Sequence, residues 1–160
     1  MATILITGTS KGIGLATALA FGRAGHKVAA TMRNPDGAPE LANATKSENL
    51  SINIYPMDVD SDASVKESVE RISKEMGQIE VFVNNAGFER TVAVEECSLE
   101  NFRAVMETNY FGIIRCIHAV LPQMMQRKSG CIINVASVAG HVASPSMAAY
   151  SASKFAVESL

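Results

Sequence analysis

Five short apolar segments rich in β-branched residues alternate along the chain with longer segments of mixed polarity. In the longer segments the apolar residues recur every three or four positions, which is typical of amphipathic helices. The short segments have the length and composition of buried strands. They are TILIT (3–7), KVAATM (27–32), SINIYP (51–56), IEVFVN (79–84) and CIINVAS (131–137).

The intervening segments carry helix start and stop signals. The first ends at Gly25, a suitable residue beyond a helix C-terminus, and the third has Ser and Asp near its start and Gly77 past its end. The longest includes Pro122 near its end. The predicted helices span about 13–24, 39–49, 60–77 and 98–127, and a last one begins near Tyr150.

Regular alternation of strands and helices predicts a parallel sheet with helices on both faces. The only strong Pro/Gly loop is RNPDGAP at 33–39, and there are no internal repeats or linkers. We therefore predict an α/β fold, a Rossmann-type doubly wound parallel sheet, formed as a single domain by residues 1–160.

Composition places the chain among soluble globular proteins, with 48% hydrophobic residues, 19% charged residues and a net charge of −2. This charge provides no basis for binding nucleic acid or an anionic membrane. The N-terminal apolar run is too short to span a membrane, so we expect a cytoplasmic protein. The three cysteines are widely spaced, which indicates free, buried thiols and no metal site.

The stretch TGTSKGIG at residues 7–14 joins the first predicted strand to the first predicted helix. In this context Gly8 would permit a tight turn, Gly12 would let the backbone approach a pyrophosphate, and Gly14 would allow close packing of helix and strand. The helix N-terminus would offer N–H groups and a positive dipole end to phosphate. A structural turn without a ligand is the alternative.

Tyr150 and Lys154 are four residues apart, so they share one face of the last predicted helix. Taken alone, this pair is an ordinary half-buried tyrosine beside a lysine whose stem packs on it. Further motifs stand after the other strands and in the long helix: DV at 58–59, NNAG at 84–87, Asn109 within METNYFG, and Ser137 within INVASVAG.

Taken together and in this order, these motifs resemble the short-chain dehydrogenase/reductase family, in its TGxxxGxG and YxxxK form. The resemblance covers essentially the whole chain. It implies a catalytic set of Asn109, Ser137, Tyr150 and Lys154, and an enzyme that interconverts an alcohol and a ketone or aldehyde. It also implies cofactor contacts from Gly8, Ser10, Lys11, Gly12, Ile13, Gly14, Asp58, Val59, Asn85, Ala86, Gly87, Tyr150 and Lys154.

The implied roles agree with elementary chemistry. A free phenol releases its proton only at high pH, whereas a nearby ammonium favours the phenolate, and Lys154 is placed to do this for Tyr150 as general acid or base. Ser137 would hold the substrate oxygen, unless it only caps a local turn. By resemblance, Asn109 distorts its helix and takes part in a water-linked proton relay to Lys154.

The second strand ends in ATMRNP, without the acidic residue that commonly binds the ribose of NAD. Arg33 stands there instead, Lys11 adds a second positive charge, and both suit a 2′-phosphate. Asp36 lies in a PDG turn, where turn chemistry explains it. We therefore expect NADP in preference to NAD; two solvated surface cations are the alternative.

The resemblance also implies further C-terminal strands and a substrate loop beyond Leu160. We expect a truncated family domain, whose isolated chain has little activity. The alternative functions are a catalytically silent dinucleotide-binding module and an epimerase or dehydratase of the same fold. Segments 88–96 and 140–148 are candidate determinants of a small-molecule alcohol or carbonyl substrate, for which a lipophilic compound is one class to consider. A full-length protein would form a homo-oligomer.

Overall fold

The computed structural model describes all residues, 1–160, and contains one five-stranded sheet. All neighbouring strands are parallel, and their order across the sheet is β3-β2-β1-β4-β5. The predicted α/β doubly wound architecture is confirmed. The strands are β1 (Thr3–Thr7), β2 (Lys27–Met32), β3 (Ile52–Pro56), β4 (Val81–Asn84) and β5 (Cys131–Asn134).

Six α-helices connect and cover the strands. Between α4 and α5 lies a π-helical turn at Glu107–Phe111, so the long segment predicted as one helix has an interruption in its middle. The helices are α1 (Gly12–Arg23), α2 (Pro39–Ser47), α3 (Asp62–Met76), α4 (Leu99–Met106), α5 (Gly112–Arg127) and α6 (Ala148–Val157).

Residues of one strand alternate between the two faces of the sheet, and each face has its own core. Leu5 and Phe82, which are adjacent in the β1–β4 register, pack against α3 and α5 on one face. Ile4 and Ile6 pack against α1 and α2 on the other face. Because both faces are covered at the centre of the sheet, β1 and β2 are almost entirely buried, whereas the outer strands β3 and β5 include exposed residues.

The chain order creates a switch point between β1 and β4. From β1 the sheet grows in one direction through β2 and β3, and from β4 it grows in the other direction to β5. Connections that leave β1 and β4 therefore diverge, which opens a crevice at the carboxyl ends of these strands. The glycine-rich turn follows β1 and the NNAG segment follows β4, so both predicted motifs lie at this crevice.

Several predicted boundaries need correction. β4 begins at Val81, two residues later than predicted, and β5 ends at Asn134, three residues before Ser137. The apolar character of 135–137 had extended the predicted strand; Val135 still donates a backbone hydrogen bond to Asn84 at 2.9 Å, and the chain then passes into a 3₁₀ turn at Val138–Gly140. β5 is an edge strand of this sheet.

The cysteines also depart from expectation. Cys116 is buried in the core, but Cys131 is exposed and Cys97 is half-buried, so the prediction of buried thiols is wrong for two of the three. Cys131 lies at the start of the edge strand β5, which has a neighbouring strand, β4, on one side only. Separately, none of the helices is long and apolar enough to cross a membrane.

Candidate active site

The glycine-rich turn leaves the N-terminus of α1 open. Lys11 occupies the N-cap position but provides no side-chain hydrogen bond to the helix, so the first backbone N–H groups are free for an anion. Gly12 has a φ of +59°, and a Cβ atom at this position would have nothing within 4 Å. The free N–H groups and the open space beside Gly12 together make this turn suitable for a pyrophosphate.

The same turn packs tightly against the end of β4. A Cβ atom on Gly14 would lie 2.2 Å from the carbonyl oxygen of Gly8 and 2.4 Å from Nδ2 of Asn85. Nδ2 of Asn85 donates to the carbonyls of Thr7 and Gly8 at 2.9 and 3.1 Å. Gly14 therefore permits close contact with the turn and with the NNAG segment, rather than with the strand as predicted.

Thr7 is a residue of this arrangement that the sequence did not indicate. Its Oγ1 accepts hydrogen bonds from the backbone N–H groups of Asn85 and Ala86, each at 3.0 Å. Thr7 is buried and ends β1, so its hydroxyl joins the carboxyl ends of the two strands at the switch point. A threonine directly before Gly8 was the available signal.

Two cations line one end of the crevice. Lys11 and Arg33 are both exposed, and neither forms a salt bridge or side-chain hydrogen bond. Arg33 directly follows β2, and Asp36 does not line the crevice. The charge available for an anionic ligand at this end is therefore positive.

Asp58 and Val59 follow β3 and form a tight turn that leads into α3. Oδ1 of Asp58 accepts a hydrogen bond from the backbone N–H of Asp60 at 3.1 Å, and the N–H of Asp58 donates to Oγ of Ser64 at 2.9 Å. Val59 is buried, and all three residues 58–60 line the crevice.

Asn109 lies in the π-helical turn and is fully buried. Its side-chain amide makes two hydrogen bonds to the backbone of Phe88. Oδ1 accepts from the Phe88 N–H at 2.9 Å, and Nδ2 donates to the Phe88 carbonyl at 2.9 Å. Nδ2 also donates to Oγ of Ser153 at 3.0 Å. The expected helix distortion is thus present, and the amide joins the segment after β4 to α6; a water-linked relay to Lys154 stays a prediction.

Tyr150 and Lys154 lie one turn apart on α6 and both line the crevice. Nζ of Lys154 is 5.8 Å from the centre of the Tyr150 ring and donates a hydrogen bond to the carbonyl of Val135 at 2.6 Å. Only 5% of Lys154 is exposed. Burial, which disfavours the charged form, lowers the pKa of the Lys154 ammonium below its ordinary value of 10.5.

Ser137 lies just outside the crevice. Its Oγ accepts a hydrogen bond from the N–H of Ala139 at 3.2 Å, so the hydroxyl caps the 3₁₀ turn, as in the alternative considered from the sequence. Accepting this bond leaves the hydroxyl proton free to donate to another group. The crevice itself is lined by the neighbouring Val135 and Ala136.

These groups surround one cavity of about 480 Å³. Every residue predicted to contact a cofactor lines it, including Tyr150 and Lys154, whereas Asn109 and Ser137 do not. Phe88 and Glu89, from the predicted substrate segment 88–96, also line the cavity. The lining residues that were not predicted are Met32, Asp60, Thr108, Val135 and Ala136. Most of these are neighbours of predicted residues, which is the signal that could have found them; Thr108 was recognisable only as the neighbour of Asn109.

Comparison with known proteins agrees with this architecture. The family model of the short chain dehydrogenases matches residues 2–160. The chain therefore belongs to the short-chain dehydrogenase/reductase family.

Individual relatives are identical to the chain at about a third or more of the aligned positions. A 3-ketodihydrosphingosine reductase of Bacteroides thetaiotaomicron is 40% identical over 156 residues, which are 97% of this chain and 54% of that protein. An NADPH-dependent pterin aldehyde reductase of Arabidopsis thaliana is 36% identical over 159 residues, or 99% of this chain and 65% of that protein.

A crystal structure of a gluconate 5-dehydrogenase from Burkholderia cenocepacia, in complex with NADP and tartrate, superimposes with a TM-score of 0.91 at 32% identity. The match covers 99% of this chain and 62% of that one. The chain thus spans between about half and two thirds of the length of these relatives.

Proposed function

We propose that this protein is an NADP-dependent oxidoreductase that interconverts an alcohol and a ketone or aldehyde. The observation that carries the proposal is that Tyr150 and Lys154 line the same cavity as the glycine-rich turn. A proton-transferring side chain therefore lies beside a site suited to a dinucleotide. Family membership supports the reaction class, because the relatives have names of reductases and dehydrogenases.

The cavity suits the cofactor in three respects. The uncapped N-terminus of α1 and the open space beside Gly12 would take the pyrophosphate. The turn at Asp58 and Val59 would take the adenine, and Asn85, Ala86 and Gly87 would line the middle of the site. When bound, the nicotinamide supplies or accepts the hydride.

In carbonyl reduction, the Tyr150 hydroxyl would donate its proton to the substrate oxygen while the carbonyl carbon receives the hydride, and in alcohol oxidation both steps are reversed. The positive charge of Lys154 would stabilise the negative charge left on the Tyr150 oxygen. The free hydroxyl proton of Ser137 would bind the same substrate oxygen. Asn109 would hold the Phe88 peptide and α6 in position.

The direct test is turnover of NADPH with a panel of carbonyl compounds by the purified protein and by Tyr150→Phe. Phenylalanine keeps the ring and removes the proton, so we expect a loss of about 100-fold or more in kcat with unchanged NADPH affinity. Tyr110→Phe is the matched control, because Tyr110 does not line the cavity. Full activity in Tyr150→Phe would refute the mechanism.

The proposed preference for NADP over NAD is based on Lys11 and Arg33, two cations that line the cavity and form no salt bridge. The NADPH-dependent relative and the NADP complex of the structural neighbour support it. Arg33→Asp should weaken NADPH binding about tenfold or more and reverse the preference towards NADH, because a carboxylate repels the 2′-phosphate and accepts hydrogen bonds from a ribose hydroxyl. Asp36→Asn, outside the cavity, should leave the ratio of the two dissociation constants unchanged.

A substrate of lipophilic character is proposed from two segments: 88–96, of which Phe88 and Glu89 line the cavity, and 140–148, which precedes Tyr150 in the chain. Segments 88–96 and 140–148 are joined by a hydrogen bond from the N–H of Val92 to the carbonyl of Ser146 at 2.8 Å, and they expose Val94 and Val142. The relative named a 3-ketodihydrosphingosine reductase supports this class. Comparing kcat/KM for a long-chain ketone, a pterin aldehyde and a keto-sugar acid would test it; a preference for either polar substrate would contradict it.

A second candidate function is a dinucleotide-binding module without catalysis. The observation that favours it is the position of Ser137, whose hydroxyl caps a turn outside the cavity. Such a protein would bind NADPH and change its fluorescence normally, yet would not oxidise it with any carbonyl compound. Binding with measurable turnover would exclude this candidate.

Assembly into a homo-oligomer is proposed from exposed aromatic side chains on the helices. Phe111 is 48% exposed at the π-helical turn, and Phe155 is 47% exposed on α6. Light scattering after size-exclusion chromatography would give the mass, and Phe111→Glu combined with Phe155→Glu should shift it to that of a monomer. An unchanged mass in the double variant would contradict assembly through these helices.

A further inference from the structure

One contact connects the turn after β3 with the π-helical turn. Oδ2 of Asp60 accepts a hydrogen bond from Oγ1 of Thr108 at 2.8 Å, across 48 residues of sequence. The other oxygen, Oδ1, is buried and has no hydrogen-bond partner. Thr108 therefore donates the one hydrogen bond that this carboxylate receives.

Both partners belong to the cavity wall, and each is adjacent to a residue of the proposed site. Asp60 follows Val59 in the turn that would take the adenine, and Thr108 precedes Asn109. Asn109 in turn holds the peptide of Phe88 and the hydroxyl of Ser153, which itself donates to the carbonyl of Tyr150 at 2.7 Å. Two sets of hydrogen bonds, joined by the peptide bond between Thr108 and Asn109, thus connect the β3 end of the cavity with the helix of Tyr150.

Arg115 reinforces the first of these two sets of hydrogen bonds. Its guanidinium donates to the carbonyl of Val59 and to the Glu107 carboxylate, each at 2.6 Å, and also contacts Asp62. Gly112 packs directly on Val59, since a Cβ there would lie 3.0 Å from Cγ2 of Val59. The turn at 58–62 and the segment 107–115 are therefore packed as one unit.

We propose that Asp60 and Thr108 are positioning residues that couple the adenine end of the cofactor site to the Asn109 segment. A ligand that packs on residues 58–60 restricts their motion, and the Asp60–Thr108 hydrogen bond extends the restriction to the π-helical turn. Cofactor binding then orders Asn109 and its contacts before any chemistry takes place. This inference rests on the proposed cofactor site, but it does not depend on turnover.

Hydrogen–deuterium exchange with adenosine 2′,5′-bisphosphate tests the coupling, because this probe occupies only the adenine end. In the wild-type protein we expect slower exchange at 8–14 and 58–62, and about threefold or more slower exchange at 105–112 as well. In Thr108→Val the protection at 8–14 and 58–62 should persist, while the protection at 105–112 falls, since only the Arg115 contacts and the Gly112–Val59 packing still join the two segments. Thr108→Ser keeps the hydroxyl and should behave as the wild type.

Further variants separate coupling from general damage. Asp60→Ala breaks the same contact from the other side and should match Thr108→Val, so a folding defect in one variant leaves the other as a test. Thr45→Val is the matched control, because the Thr45 hydroxyl in α2 has no hydrogen-bond partner. It should leave the exchange pattern of the wild type unchanged.

Two results would overturn the inference while leaving the proposed site intact. One is wild-type protection at 8–14 and 58–62 without any effect at 105–112; the other is full protection at 105–112 in both Thr108→Val and Asp60→Ala. Absence of protection throughout the wild-type protein would instead overturn the proposed cofactor site, and the coupling with it. The exchange maps therefore distinguish the two failures.

Discussion

Nζ of Lys154 donates a hydrogen bond to the backbone carbonyl of Val135 at 2.6 Å, and this contact holds α6 against the segment that leaves β5. An ammonium with 5% exposure carries a desolvation cost, which one neutral carbonyl offsets only in part. Lys154 is therefore in a position that suits function better than stability.

Replacing Lys154 with Met should raise the free energy of unfolding by about 1 kcal/mol at pH 7, because a buried charge is exchanged for an apolar chain of similar length. Carbonyl reduction should fall by about 100-fold or more. Urea denaturation and NADPH oxidation would measure the two effects. Lys66→Met, on the surface of α3, is the control and should change neither. A clear loss of stability in Lys154→Met would show that the Val135 contact outweighs the desolvation cost.

The pH dependence of stability gives a separate test of Lys154. Because burial lowers the pKa of this group below 10.5 in the folded protein, the unfolded chain binds more protons between the lowered pKa and 10.5. The stability of the wild type should therefore rise relative to Lys154→Met as the pH increases through this range, and the difference should level off above 10.5. A difference that stays constant from pH 7 to 11 would contradict the lowered pKa.

Three glycine-to-alanine variants separate the folding and binding roles of the glycine-rich turn. In Gly14→Ala the new Cβ would overlap the Gly8 carbonyl and the Asn85 amide, so we expect a loss of about 3 kcal/mol in stability or failure to fold. In Gly12→Ala no atom is near, and only the positive φ is strained, at a cost of about 1 kcal/mol.

Gly25 provides the control for backbone strain. It has a φ of +80°, a Cβ there would also meet nothing within 4 Å, and it does not line the cavity. Gly12→Ala and Gly25→Ala should therefore lose similar stability by thermal denaturation, but only Gly12→Ala should lose NADPH affinity, about tenfold or more, because its methyl group lies where the pyrophosphate would bind. Equal affinities in the two variants would place the pyrophosphate elsewhere.

Asn109→Ala should be destabilised by about 3 kcal/mol, because it leaves the N–H and carbonyl of Phe88 without their partner in a buried position. Asn101→Ala, on α4 two turns earlier, is the control, since the Asn101 side chain makes no hydrogen bond; its change should stay within about 0.5 kcal/mol. Chemical denaturation of both variants measures the difference. Similar losses of unfolding free energy in the two variants would mean that water replaces the hydrogen bonds of the Asn109 amide.

The five strands, the parallel sheet and most residues of the cavity were predictable because each is marked by a local pattern in the sequence. Apolar runs mark the strands, and the motifs at 7–14, 58–59 and 84–87 directly follow three of them. Parallel strands bring their carboxyl ends to one edge, so these motifs meet whatever the details of packing. Even the helix distortion at Asn109 was indicated by the sequence, through a polar residue in the middle of a predicted helix.

Contacts between distant segments were not predictable. The Thr7 hydroxyl accepts hydrogen bonds from Asn85 and Ala86, which lie 78 and 79 positions further along the chain. Thr108 donates to Asp60 across 48 positions. Their neighbours Gly8 and Asn109 mark the positions of these threonines but not their hydrogen-bond partners, because the partners are set by how helices and strands pack. Ser137 illustrates the same limit, since the chain leaves β5 three residues earlier than its apolar pattern indicates and carries the hydroxyl outside the cavity.

Cys116 and Cys131 should differ sharply in reactivity. The thiolate is the reactive form, and burial in the core raises the pKa of the Cys116 thiol to about 12, whereas Cys131 is exposed on the edge strand. At pH 8 iodoacetamide should label Cys131 within minutes in the native protein, and Cys116 only after unfolding in urea. Mass spectrometry of digested samples measures each site.

The two serine variants complete this test. Cys131→Ser should abolish the fast native label, and Cys116→Ser should leave it intact while reducing the total in urea from three labels to two. The raised pKa has a further consequence, because above about pH 9 the unfolded chain loses the Cys116 proton while the folded protein retains it, so this group lowers stability as the pH rises. Cys116→Ser should therefore show a smaller loss of stability between pH 9 and 11 than the wild type. Labelling of Cys116 in the native protein at the rate of Cys131 would show that the core between α5 and the sheet opens readily.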